Sequence, residues 1–336
     1  MRYLLFTAFL QFGLTVASSA QESNLKEDYS AYLPEIRSFN KSLAQMPEGK
    51  SILTKEGLDE TRKFGKMIAH TKTVLQPVTK TIKGPFGDFK LSIFRPDTIR
   101  AVVLDIHGGS WITGGPENDA ELNDAMARTC NVAVVSIDYH LAPEFPFPAC
   151  IEDCKAAARW LVANAKKEFG TDKLFVSGGS AGGHLAAVTT IYIRDSLKAI
   201  DKVKGVNLVY GAFDLGRTPS LRLATDSTLI LFKENLEDIM KLVFPGWTIE
   251  KKQDPQFSPL YADLKGLPPA LFTIGTADPL LDDSYFMETR WRNAGNKTFL
   301  AVYPECPHAF NVFPTKIAAV ANQRMMKWIN DLLTAN

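Results

Sequence analysis

The sequence is short of several features that would mark other kinds of protein. Four cysteines in 336 residues, Cys130, Cys150, Cys154 and Cys306, are too few for a disulfide framework to hold a chain of this size together. Cys150 and Cys154 fall one helical turn apart, where Cβ atoms lie about 5–6 Å from each other, too far for a relaxed bridge. Both are read as packed thiols, and one bridge elsewhere stays open. Net charge is nearly absent: 38 Lys+Arg against 37 Asp+Glu leave +1, so no global field gathers nucleic acid, anionic membrane or acidic substrate. The partner expected is a small molecule, with no nucleic acid and no stable membrane association, and with a homodimer as the assembly left open. Repeats, low-complexity tracts and Pro/Gly-rich linkers are missing too, which argues against a division into several domains.

The longest apolar stretch stands at the start. MRYLLFTAFLQFGLTVASSA runs from Arg2 through Leu4–Val16 to the small residues Ala17–Ala20. It is shorter than the roughly 20 residues a membrane span needs, and it reads as a secretory signal cut after Ala20. A secreted or periplasmic protein follows, with residues 21–336 as one domain. Asn40-Lys41-Ser42 and Asn296-Lys297-Thr298 match the glycosylation acceptor pattern, which matters only in a eukaryotic source.

From residue 90 onward, β-rich runs alternate with helical patterns. The runs are LSIFRP, AVVLDIH (101–107), VAVVSIDY (132–139), KLFVSGG (173–179), VKGVNLVYG (203–211), PALFTIGTAD (269–278) and TFLAVYPE (298–305). Helices are expected around 151–165 and at 181–198, 282–294 and 316–333. Such alternation builds an α/β fold, a mostly parallel sheet with helices on both faces. Residues 24–75, helical and amphipathic, and the insertion 216–256 stand outside it. Together they are expected to form a helical cap over the strand ends, where open α/β sheets bind ligands.

Gly178-Gly179-Ser180-Ala181-Gly182-Gly183 falls between the strand KLFVSGG and a helix, the setting of a nucleophile elbow. Glycines flank the serine because larger residues would clash in so tight a turn. A glycine-rich phosphate loop is the alternative reading, but no Gly-Lys-Ser/Thr follows. A serine hydroxyl needs a base. Of His70, His107, His140, His184 and His308, only His308 follows the last strand candidate, as the chain order Ser, acid, His requires in an elbow fold. The acid expected is Asp278, directly after PALFTIGTA. Asp214 is held in reserve as structural, and Asp282 and Asp283 are expected to cap the next helix. His107-Gly108-Gly109-Ser110-Trp111 ends another strand, and its glycines let backbone N–H groups approach a bound carbonyl, with Ala181 adding a third donor to an oxyanion hole. Trp111 is a candidate wall of the substrate pocket, as is Phe213, for which core packing is the stronger expectation.

HGGSW, DYHLAPEFPFPA (138–149), GGSAGG, ADPLLDD (277–283) and PHAF (307–310) occur in that order. On these motifs the chain resembles the hormone-sensitive-lipase-like branch of the α/β-hydrolases across about residues 101 to 310. The resemblance implies hydrolysis of carboxylic esters, no metal and no organic cofactor, and the N–H groups of Gly109, Ser110 and Ala181 as oxyanion donors. Ser110 stands where that branch usually has a third glycine, Gly179 where it usually has Asp or Thr, and His140 where Arg is as frequent. A non-catalytic binding protein and an amidase are the rival readings.

Overall fold

The computed structural model describes residues 22–23, 27–45, 50–68, 72–225, 229–230 and 233–335. The signal expected over residues 1–20 and His70 lie outside the described residues.

Among the described residues, nine strands form one sheet. They are β1 (Glu22–Ser23), β2 (Val78–Gly84), β3 (Gly87–Phe94), β4 (Ala101–Ile106), β5 (Val132–Asp138), β6 (Leu174–Gly179), β7 (Val203–Val209), β8 (Ala270–Gly275) and β9 (Thr298–Tyr303). Their spatial order is β1-β9-β8-β7-β6-β4-β5-β3-β2. The hairpin of β2 and β3 is antiparallel, as is β3 against β5, and every other pairing is parallel. Strands covered on both faces are mostly apolar, and β4 and β8 are buried at every position, the polar Asp105 of β4 included. By contrast, β2 buries only Ile82 and leaves Val78, Thr79, Thr81 and Lys83 exposed, as an edge strand does.

The helices Ala149–Phe169, Ala181–Asp195, Leu281–Asn293 and Lys316–Thr334 lie close to the spans their apolar spacing predicts. The first ends where Gly170 takes a left-handed φ of 78°, at no steric cost. Ala120–Cys130 is a further helix that the spacing does not reveal. Its inward face carries Asn123, which donates to Asp105, and Asp124, which accepts from the N–H groups of Val74 and Leu75.

The segments outside the alternation contain the helices Leu33–Leu43, Lys55–Ile68, Pro219–Arg222, Lys233–Val243 and Ile249–Lys252. Ser51 Oγ donates to Asp238 Oδ2 at 2.8 Å, so the early and late segments touch. Among the described residues no helix is long and apolar enough to cross a membrane. All four cysteines are buried free thiols. Asn296 is also buried, and its Nδ2 donates to the carbonyls of Leu264 and Trp291, which removes it as a glycan acceptor in the folded chain.

Candidate active site

The elbow is built by the sheet. Gly178 on β6 pairs with Ile106 on β4 and Leu208 on β7, and the Ser180 N–H donates to the Val209 carbonyl at 2.9 Å. Ser180 itself sits at φ 57°, ψ −123°, a strained backbone that persists because its surroundings leave no alternative. A Cβ on Gly182 would lie 1.9 Å from the Ile106 oxygen, and one on Gly178 2.3 Å from the Gly182 oxygen. Only glycine lets this helix start so close to β4. Gly179 is different: a Cβ there would meet the edge of the Tyr210 ring at 3.3 Å.

His308 Nε2 lies 2.9 Å from Ser180 Oγ, and His308 Nδ1 lies 2.8 Å from Asp278 Oδ2. The carboxylate fixes the tautomer: Nδ1 carries the hydrogen and donates to Asp278, leaving Nε2 to accept from the serine hydroxyl. Asp278 is oriented in turn by the Leu280 N–H, which donates to Oδ1 at 2.8 Å. Both side chains are almost fully buried. The loops that carry them are laced together, with the N–H groups of Thr276 and Ala277 donating to the carbonyls of Tyr303 and Cys306, and the Glu305 N–H to Thr276 Oγ1.

The rival acids are occupied elsewhere. Asp214 accepts from Tyr261 Oη at 2.9 Å and from the Gly216 N–H at 2.7 Å. Asp282 and Asp283 do not cap their own helix. Asp282 accepts from the Ser220 N–H, and the buried Asp283 accepts from the N–H groups of Phe213 and Asp214 and from Thr218 Oγ1. These contacts fasten the loop after β7 to the helix. Burial raises the Asp283 carboxyl to about 7 even against three donors.

The loop after β4 has left-handed φ at three successive residues: Gly109 (111°), Ser110 (54°) and Trp111 (61°). Its carbonyls are engaged, that of Gly109 by the N–H groups of Ile112 and Thr113, and that of Trp111 by the Ala142 N–H. Among the described residues, none accepts from the N–H groups of Gly109, Ser110 or Ala181. Gly108 faces the elbow, where a Cβ would lie 2.9 Å from the Gly179 oxygen and 3.4 Å from Ser180 Cβ. The geometry therefore brings Gly108, Gly109, Ser110 and Ala181 to the nucleophile end of the sheet, with free donors of the kind a developing oxyanion requires.

Trp111 is a correction. Its indole is only 4% exposed, enclosed by Phe147, His184 and Phe244, and so has almost no surface to offer a substrate. It supports the loop from beneath. Trp111 Nε1 donates to His184 Nδ1 at 3.3 Å, and His184 Nε2 donates to the Phe257 carbonyl at 2.6 Å. Burial lowers His184 to about 4, so it is neutral here and able to accept. Burial likewise lowers His107 to about 4, its ring stacked on Tyr139 at 4.1 Å. Phe213 is fully buried, in the core. His140 pairs through Nδ1 with the buried Asp153 at 2.7 Å, away from the serine.

Sequence reasoning missed Tyr210, whose ring lies 4.8 Å from that of His308 and whose hydroxyl donates to Asn311 Oδ1. It also missed Arg62, which binds the carbonyls of Ile112 and Ala142. Neither stands in a motif, and only three-dimensional proximity reveals them.

A nucleophile elbow on a mostly parallel sheet, with acid and base after the two strands beyond β7, defines a class. The chain belongs to the α/β-hydrolase family, whose model, described as the alpha/beta hydrolase fold, matches residues 103–312. Its motifs and neighbours put it on the hormone-sensitive-lipase-like branch. It is 35% identical over 246 residues to "Carboxylic ester hydrolase LipN" of Mycobacterium tuberculosis, a match covering 69% of this chain and 64% of that protein. It is 34% identical over 245 residues to "Arylesterase" of Saccharolobus solfataricus, covering 69% and 76%. A solved esterase of Pyrobaculum calidifontis superposes with a TM-score of 0.78 at 28% identity, over 89% of this chain and 99% of that one. A hormone-sensitive lipase from a metagenome library gives 0.74 at 26%, over 89% and 98%.

Proposed function

We propose that this protein is a secreted serine esterase that hydrolyses short- to medium-chain or aryl carboxylic esters through an acyl-enzyme on Ser180. The observation that carries the reading is the hydrogen-bonded line from Ser180 Oγ through His308 to Asp278. Ser180 Oγ attacks the ester carbonyl carbon while His308 Nε2 takes its proton. The N–H groups of Gly109, Ser110 and Ala181 bind the oxyanion, and Asp278 holds the imidazolium. Collapse expels the alcohol, which leaves with the proton from His308. Water then repeats the sequence on the acyl-enzyme and frees the acid. The names of the mycobacterial and archaeal relatives support an ester as the bond cleaved and an aryl leaving group as acceptable. The signal-like first twenty residues support export.

The test is a rate profile of purified protein on p-nitrophenyl acetate, butyrate and octanoate and on a p-nitroanilide. Ester turnover should dominate, greatest at the shorter chains, and Ser180→Ala should lower it by at least about 1000-fold. No ester turnover by the intact protein sinks the reading, and preference for the anilide turns it to an amidase. Cell fractionation checks export: a protein that keeps its first twenty residues and stays in the cytoplasm refutes it.

A further inference from the structure

We propose that Arg62 is a positioning residue for the oxyanion loop, through which the cap helix Lys55–Ile68 sets the geometry of the donors. The inference rests on the esterase reading of that loop. Arg62 Nε donates to the Ile112 carbonyl at 2.8 Å, and Nη2 to the Ala142 carbonyl at 3.0 Å. Nη1 and Nη2 also donate to the two carboxylate oxygens of Glu144, each at 2.8 Å. A planar guanidinium offers this fan of donors, and an ammonium does not. The arginine side chain is 23% exposed and its bonds to the two carbonyls are partly buried, while the Glu144 carboxylate lies open to solvent.

The placement matters because of what Ile112 follows. Gly109, Ser110 and Trp111 hold three successive left-handed φ values, and two of them are not glycine. Such a stretch is strained and keeps its shape only when contacts beyond it fix both ends. The Ala142 N–H fixes the Trp111 carbonyl, and Arg62 fixes both the next carbonyl and Ala142 itself. With the carbonyls of Trp111 and Ile112 held, the N–H groups of Gly109 and Ser110 are held as well. The same helix makes a second contact, as the Gly65 carbonyl accepts from Asn118 Nδ2. Arg62 meets no reacting atom. It acts through the loop.

The test compares Arg62→Gln and Arg62→Lys with the intact enzyme on p-nitrophenyl acetate. Arg62→Gln should lower kcat by about 10- to 100-fold, short of the effect of deleting a whole oxyanion donor, with KM changed less than about threefold. Inhibition by a trifluoromethyl ketone, whose adduct carries the oxyanion, should weaken in parallel with kcat/KM. Arg62→Lys should fall between the two and covers the case in which Arg62→Gln does not fold. Amide exchange in a peptide spanning residues 108–114 should quicken at least about tenfold in either variant, with the elbow peptide unchanged. Wild-type kcat and wild-type exchange in Arg62→Gln overturn the proposal. If the intact protein hydrolyses no ester, the esterase reading falls and the exchange comparison still decides whether Arg62 holds the loop.

Discussion

The two turns that flank the reacting oxygen are supported in opposite ways. The elbow around Ser180 draws its rigidity from neighbours on β4, β6 and β7, and glycines at 178 and 182 make the close approach feasible. The loop of Gly109, Ser110 and Trp111 has one glycine among three left-handed residues and is braced from a distance. Arg62 reaches it from 50 residues upstream, and Trp111 is tied through His184 to Phe257, just past the late insertion and 73 residues beyond His184. One turn depends on the sheet, the other on the segments packed over it. Damage to the cap should therefore reach the oxyanion donors and spare the nucleophile.

The largest effect should come from breaking the elbow. Gly182→Ala puts a methyl 1.9 Å from the Ile106 oxygen, and displacement of the serine by even about 1 Å costs on the order of 100-fold in rate. Steady-state kinetics and thermal melting of the variant measure this, and near-normal turnover would mean the turn has more slack than its contacts allow. On the other side of the comparison, His184 gives a pH signature. Its pKa is about 4 in the folded chain, against roughly 6.5 when unfolded, so the unfolded state takes up the proton first. Its stabilising contribution is complete above pH 6.5 and is lost as pH falls toward 4, amounting to about 3 kcal/mol across that window. Asp283, raised to about 7, opposes it by losing stability as pH rises from about 4. His184→Gln isolates the histidine: urea unfolding at pH 7 and pH 4.5 should show a stability gap between the two pH values that shifts relative to wild type by roughly one proton's linkage.

A smaller effect is expected for Trp111→Phe, which keeps an aromatic ring in place and removes the bond to His184. The loss in kcat should be about threefold to tenfold, in line with one buried hydrogen bond of about 1 kcal/mol, with little change in KM. A large rise in KM would instead make the indole a substrate contact. Smallest of all should be Ser110→Gly, since the backbone N–H is retained and a φ of 54° suits glycine. Its kcat/KM for p-nitrophenyl acetate should stay within about threefold of wild type.

These contrasts also explain what was legible in the chain. The parallel strands stand out because double burial makes them mostly apolar, and the elbow because its glycines, serine and helix start are contiguous. Asp278 and His308 are found by position relative to strands. The edge strand β2 is half polar, and the helix Ala120–Cys130 turns Asn123 and Asp124 inward, so neither carries the expected apolar period. Trp111 looked like a pocket wall because an aromatic beside two glycines suits a ligand, and nothing local to it marks the contacts with Phe147, His184 and Phe244 that bury it. Arg62 reads as one more charge on an amphipathic helix. Its partners, two backbone carbonyls and Glu144, are set by tertiary contacts alone.

The lacing of the acid and histidine loops has a mechanical consequence. Asp278 and His308 ride on adjacent strands, β8 and β9, with their loops stitched together, while Ser180 stands across β7 on β6. Shear within the sheet would carry acid and base along as one body and change only the gap from imidazole to hydroxyl. A loosened sheet would then part the hydroxyl from an acid–base pair that stays intact, a fault of alignment alone.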